Sequence, residues 1–256
     1  MMYFHEPTYD LDILCRQNLH IHTCFSGCAK PEMNLHDIVM TAQQSSLDMI
    51  AVTDHVSPFS EDEEEFRNSL KALREIAQTI DSPVKLLIGA ELSAYGTDNF
   101  SYADSDIELD YRLWAQNHYH AGGWIQPEDR SPAGYKNHII ETLTNLIRSD
   151  RADCIAHPFH DTYLTNSKKL NVGFARGSVP ACFSDNEIGE LLELGKKYET
   201  AFEINLNAMV DYPEFCRRMY NLGREIGTQF NIGTDAHSLD RIDTRQFIER
   251  TKKILL

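Results

Sequence analysis

The chain has 256 residues, 42% apolar and 25% charged, with a formal net charge of −15, which fits a globular protein long enough for one α/β barrel. The negative balance argues against a general affinity for DNA, RNA or an anionic membrane, all of which call for a basic footprint. It leaves room for an anionic substrate if divalent cations reverse the local field.

The opening residues show no basic region followed by an apolar stretch, and no apolar run approaches the roughly 20 residues of a bilayer span. The six cysteines (Cys15, Cys24, Cys28, Cys154, Cys182, Cys216) lack the paired spacing of a secreted scaffold. A cytoplasmic location with free thiols is the expectation.

In chain order, Asn18 to His22 reads as a strand, followed by a helix from about Asn34, an N-cap with Asp37 at N3 and Leu35, Ile38, Val39 and Ala42 on one face. Asp48 to Thr53 is the second strand. The acidic run Glu61 to Glu65 opens a helix carrying Phe66, Leu70, Leu73, Ala77 and Ile80; carboxylates in a first turn suit the helix dipole and need no catalytic role. Val84 to Ala90 is the third strand and about Tyr111 to His118 the fourth. A helix over Lys136 to Arg148 precedes the fifth strand, Ala152 to Ala156. Ser184 to Glu187 forms a capping box for a helix reaching Tyr198. The strand Ala201 to Asn205, a helix over Pro213 to Ile226, the strand Gln229 to Gly233 and a helix from about Leu239 complete seven βα units. Helical connections between successive strands favour a parallel sheet, and nothing divides residues 1–256 into two domains.

Each apolar run ends near a residue able to bind a metal: His20-Ile21-His22, Asp54-His55, Glu91, His118, His157, Glu203-Ile204-Asn205 and Asp235-Ala236-His237. Side chains alternate along a strand, so His20 and His22 share a face and can share an ion. A parallel barrel gathers its strand ends on one face, where the active site is built. First and last strands are neighbours in a closed barrel, which sets the His20/His22 pair beside Asp235/His237. A multi-metal centre at a barrel mouth points to hydrolysis.

The segments Leu19-His20-Ile21-His22-Thr23 with Ser26, Val52-Thr53-Asp54-His55, Gly89-Ala90-Glu91, Ala156-His157-Pro158 and Gly233-Thr234-Asp235-Ala236-His237 together resemble the PHP family, named for its polymerase and histidinol-phosphatase members, and stand in that family's order. The resemblance implies a distorted (β/α)7 TIM-like barrel with two or three divalent ions hydrolysing phosphate esters. It implies one ion on His20, His22, Glu91 and Asp235, a second on His118 and His157 with Glu91 as the bridge, and a third on His55 and His237. Imidazole donors suit Zn, Mn or Fe rather than a purely Mg or Ca site. The family usually places Asp or His seven or eight positions after the first histidine, where this chain has Gly27 and Cys28. Either Cys28 supplies a thiolate, favouring Zn or Fe, or the third site is weak or empty. His118 and His120 share parity; His118 is preferred because it ends the apolar run.

The expected reaction is hydrolysis of a small phosphomonoester, histidinol-phosphatase-like, by a metal-bridging hydroxide, with Glu91 and Asp235 as catalytic carboxylates. Long connections over His120 to Tyr135 and Pro158 to Phe183 supply Arg130, Lys168, Lys169 and Arg176 as phosphate contacts and a candidate lid. Glu203 either orients a ligand histidine or makes a structural hydrogen bond. Rival readings are a nuclease-like or nucleotide phosphodiesterase, an amide or ester hydrolase, and a non-catalytic metal-binding sensor module. Nucleic acid and membrane are not expected partners.

Overall fold

In the computed structural model, which describes residues 8–56, 63–101 and 108–256, the apolar runs become parallel strands. They are β1 (Gln17–Ile21), β2 (Met49–His55), β3 (Lys85–Gly96), β5 (Tyr111–Ala115), β6 (Cys154–Ile155), β7 (Ala201–Asn205) and β8 (Phe230–Gly233), paired in that order. A two-residue strand, β4 (Asn99–Phe100), folds back antiparallel on the end of β3. The rim closes just past β8, where Ile21 bridges Ala236, the His22 amide donates to the Ala236 carbonyl at 2.9 Å, and the Ala236 amide donates to the His20 carbonyl at 3.1 Å. The result is a nearly closed, distorted (β/α)7 barrel.

The helices are α1 (Leu11–Leu14), α2 (Leu35–Gln44), α3 (Glu63–Ala77), α4 (Pro132–Arg148), α5 (Thr162–Thr165), α6 (Ser178–Ala181), α7 (Asp185–Lys197), α8 (Pro213–Ile226) and α9 (Ile248–Leu255). Local chemistry sets their starts. The Asn34 side chain accepts from the Asp37 amide at 3.0 Å to open α2, and Ser184 and Glu187 cap α7 reciprocally. α4 begins at Pro132 rather than Lys136: Ser131 accepts from the Gly134 amide at 3.1 Å, and a proline at the first position has no N–H to leave unpaired.

Strand alternation then sorts side chains into two cores. Leu19, Ala51, Leu87, Tyr111, Leu113, Cys154 and Ala201 form a small buried cluster. On β3 and β7 its members share parity with Glu91 and Glu203, so this cluster is the barrel floor beneath the site. The larger cluster, including Ile50, Val52, Ile88, Ile155, Phe202 and Ile232, packs the outer strand faces against the helices.

Four expectations need correcting. β3 does not stop at Ala90 but runs through Glu91 to Gly96, because β4 supplies its extension with a partner. β5 stops at Ala115, which leaves His118 on a loop. The last helix starts at Ile248, after 3-10 turns at Leu239–Arg241 and Thr244–Phe247. The connection from Pro158 to Phe183 is not structureless: the Asp161 carboxylate accepts from the Gly177 amide at 2.9 and 3.0 Å, the Val179 amide at 3.0 Å and the Tyr212 hydroxyl at 2.8 Å. His5 and the start of the acidic run at Glu61 lie outside the described residues. No helix among the described residues is long and apolar enough to cross a membrane.

Candidate metal centre

The site begins with an irregularity in β1. Its register against β2 shifts between Asn18 and Ile21, so Leu19 joins the barrel floor while His20 and His22 still rise together into the mouth. Bulges beside active sites re-aim side chains in this way. β2 and β3 pair in register with His55 beside Glu91. His157 and Asp235 follow the short strands β6 and β8 with φ of 28° and 53°, left-handed values that are uncommon for residues other than glycine and cluster at functional sites.

Glu91 is the hub. Its Oε2 lies 2.8 Å from His55 Nδ1 and 3.5 Å from both His20 Nε2 and His22 Nε2. Its Oε1 lies 3.0 Å from His157 Nε2 and 3.5 Å from His118 Nε2. Asp235 Oδ1 completes the inner group at 3.0 Å from His22 Nε2 and 3.4 Å from His20 Nε2. Three sets of donor atoms each fall within 4.8 Å of one another: His20, His22, Glu91 and Asp235; His55, Glu91 and His118; and His22, His55 and His237. Glu91 is 1% exposed, yet its Oε2 makes no hydrogen bond despite the close His55 nitrogen. An unsatisfied buried carboxylate oxygen ringed by imidazole nitrogens fits a shared cation.

The ring orientations suit that cation. His20 Nδ1 donates to Glu203 Oε1 at 2.8 Å, His22 Nδ1 to Ser26 Oγ at 3.4 Å, and His237 Nδ1 to the Asp235 carbonyl at 2.9 Å. The first two bonds leave Nε2 as a free lone pair, while His237 Nε2 lies 3.1 Å from Cys28 Sγ. Glu203 also accepts from the His157 amide through Oε2, so one carboxylate from β7 aligns ligands from two other strands. Asp54 is no ligand: it accepts from the Thr23 amide at 2.7 Å, Thr23 Oγ1 at 2.6 Å and Ser26 Oγ at 2.8 Å, and so fixes the loop after β1. Gly233 is obligatory here, because a Cβ would stand 2.0 Å from Glu203 Oε1 and 2.6 Å from His20 Cβ.

The electrostatics favour ionised carboxylates and divide the imidazoles, with His22 and His118 lowered and His20, His55 and His237 raised. Burial opposes charge on Glu91, but His55, His118 and His20 with the His157 hydrogen bond hold its pKa well below normal. Burial likewise opposes charge on Asp235, and His20 and His22 prevail to the same effect. Burial and the charge of His55 bring His22 down to about 4, and burial with the charges of His157 and His55 puts His118 well below the usual range. His20 moves the other way: burial opposes its charge, but Glu203, Asp235 and Glu91 raise it.

A cavity of ≈ 640 Å³ lies over this cluster, walled by Phe25, Phe66, Trp124 and Tyr163, with His55, His118, His120 and His237 among its lining. His120 stacks on Tyr163 at 5.0 Å and makes no contact with Glu91, whereas His118 does. Cys28 sits at the wall with its Sγ 3.1 Å from His237 Nε2. Burial pushes this thiol up, but hydrogen bonds from His237 and His55 bring it to about 6. Of the remaining histidines, His138 bonds the Tyr119 hydroxyl, His160 stacks on Tyr212, and His36 is exposed.

The four cations read as phosphate contacts are not brought to this cavity. Arg176 is bound by Asp211 and Asn166, both at 2.7 Å, and Arg130, Lys168 and Lys169 are exposed elsewhere. No Lys or Arg lines the cavity among the described residues, and the residues outside that set include none.

The PHP domain family model matches residues 18–173. A probable phosphatase of Aliivibrio fischeri (strain MJ11) is 25% identical over 233 residues, spanning 87% of this chain and 78% of that protein. A probable phosphatase of Pectobacterium atrosepticum is 24% identical over 224 residues, spanning 86% and 78%. A solved structure from Listeria monocytogenes, described as a "putative histidinol phosphatase", superposes with a TM-score of 0.64 at 14% identity over 88% of this chain and 97% of that one, a likeness of fold.

Proposed function

The chain belongs to the PHP domain family, and from that premise we propose that it is a metal-dependent hydrolase of a small organic phosphomonoester. The observation that carries the reading is Glu91, buried at the barrel mouth with one oxygen toward His118 and His157 and the other toward His20, His22 and His55. A carboxylate so placed suits a bridge between two ions. In this reading His20, His22, Glu91 and Asp235 hold one ion, and His118 and His157 share Glu91 to hold a second, of the Zn, Mn or Fe class. When bound, such ions supply an activated water and neutralise phosphoryl oxygens.

The protein's own groups do the rest. Glu203, Ser26 and the Asp235 carbonyl fix the imidazole tautomers. Asp235 Oδ2 accepts from the Tyr163 hydroxyl at 3.2 Å on the cavity side while Oδ1 stays with the imidazoles, and Oδ2 is the atom we assign to take a proton from the attacking water and pass it to the leaving oxygen. Phe25, Phe66, Trp124 and Tyr163 exclude water around the organic part of the ester. A cavity without Lys or Arg offers nothing to a polyanionic backbone, which favours a small ester over nucleic acid.

The test is phosphate release from a panel of small phosphomonoesters, histidinol phosphate and nucleotides included, after reconstitution with Mn²⁺, Zn²⁺ or Fe²⁺ and against a chelated control. Chelator-sensitive release from one or a few esters is expected. No release from any ester with any metal overturns the monoesterase reading and moves the weight to diesters, amides or a sensor role.

A further inference from the structure

The loop after β1 is where this chain is unlike the pattern its other motifs follow, and the structure shows what stands there instead. Gly27 contributes no donor, and a side chain at that position would meet nothing within 4 Å. Cys28 is held toward the cluster from both sides. Asp54 grips Thr23 and Ser26, the Ala29 amide donates to the Ser26 carbonyl at 2.9 Å, and the Lys30 amide donates to the His237 carbonyl at 3.0 Å. The loop bearing Cys28 and the segment bearing His237 are thus tied together, and their side chains meet at 3.1 Å.

A thiol–imidazole hydrogen bond needs only one partner. Here the rings of His55 and His237 each lie 4.3 Å from the His22 ring and 6.2 Å from each other, and the three residues offer nitrogens within 4.8 Å of one another. On the inner side, the buried Glu91 Oε2, which makes no hydrogen bond, lies 2.8 Å from His55 Nδ1. Converging imidazole nitrogens repel as imidazoliums and have no proton to share when all are neutral acceptors; a cation satisfies them together.

We infer that Cys28 completes a third metal site with His55 and His237, and that its thiolate makes this site prefer a thiophilic divalent ion, Zn²⁺ or Fe²⁺, over Mn²⁺ or Mg²⁺. The inference rests on the reading of the barrel mouth as a metal-dependent hydrolase centre. Soft thiolate donors select zinc and iron, whereas the Glu91 and Asp235 oxygens of the inner group tolerate harder ions. On binding, the Cys28 S–H bond is replaced by an S–metal bond and one proton passes to bulk water.

The test is anaerobic titration of chelator-stripped protein with Co²⁺, followed by near-ultraviolet thiolate-to-cobalt charge transfer and by total bound metal. The expected result is a band whose intensity accounts for one of the bound cobalt ions, which disappears in Cys28→Ser, persists in Cys24→Ser, and is displaced by Zn²⁺ but not by Mg²⁺. Zn²⁺ should also protect Cys28 from alkylation in the wild type, and its third equivalent should bind at least about tenfold more weakly in Cys28→Ser. Tightly bound cobalt without the band, or a band that survives Cys28→Ser, overturns the thiolate site alone and leaves the inner ions standing. Failure to bind any ion tightly overturns it together with the hydrolase reading.

Discussion

Gly233→Ala tests whether the alignment of the ligands, rather than their mere presence, sets metal affinity. The new Cβ would stand 2.0 Å from Glu203 Oε1, against an ordinary carbon–oxygen contact of about 3.3 Å. The carboxylate must therefore retreat by roughly 1.3 Å. That displacement stretches the bond to His20 Nδ1 from 2.8 Å to about 4 Å in the worst direction, beyond hydrogen-bond range. The same movement releases the His157 amide, so ligands from two strands lose their orienting partner at once. Loss of such a partner costs about 10- to 100-fold in metal affinity, on the order of 1.4–2.7 kcal/mol. The assay is chelator competition for the tightest ion, with thermal unfolding of the chelated protein as the fold control. Glu203→Gln keeps the side chain's shape and should give the same affinity loss with less effect on stability. A folded Gly233→Ala with wild-type affinity would refute the argument that Glu203 governs the geometry.

Glu91→Gln keeps the side chain's size but removes the charge and one acceptor oxygen; turnover should fall at least about 100-fold while far-ultraviolet circular dichroism stays unchanged, and a variant retaining most activity would remove Glu91 from the bridge. Asp153 gives a pH signature. Burial raises its carboxyl from 3.8 to about 6, against the opposing hydrogen bond from the Arg112 amide and the Arg112 charge. The folded state holds this proton more tightly than the unfolded one, so the contribution is full below 3.8 and lost as pH rises through about 6. Asp153→Asn keeps an acceptor for the Arg112 amide at 2.7 Å and should flatten urea stability between pH 4 and 6 by on the order of 2–3 kcal/mol relative to wild type; identical slopes would rule out the buried proton. Asp161→Ala frees two backbone amides, Gly177 and Val179, and a tyrosine hydroxyl, so limited proteolysis should cut within 162–183 several-fold faster; unchanged cleavage would show that the segment is held by other contacts.

Strand order and the identity of the mouth-facing histidines were legible because alternation and strand ends are local properties. His20-Ile21-His22 and Asp235-Ala236-His237 each carry their geometry within three residues. What was not legible depends on distant partners. The extension of β3 to Gly96 needs β4 to fold back on it. The order in the Pro158 to Phe183 connection needs Asp161 to meet Gly177, Val179 and Tyr212. Arg176 looked free for phosphate only because Asp211, 35 positions away, was not known to bind it. Glu203 lay between the two cases: its parity with Asn205 pointed it inward, but only the fold shows His20 and the His157 amide as its partners.

The cation-free wall of the cavity has a consequence for inhibition. Where lysines or arginines line a phosphate site, product and its analogues still bind after the metal is stripped. No Lys or Arg lines the cavity among the described residues, so in the proposed reading the positive charge near a bound phosphoryl group would come with the ions, aided by whichever imidazoles are protonated. Vanadate, molybdate or inorganic phosphate would therefore serve as gauges of metal occupancy, gripping the loaded protein and passing over the stripped one. Product release would follow the same control, tightening or loosening as one divalent ion replaces another.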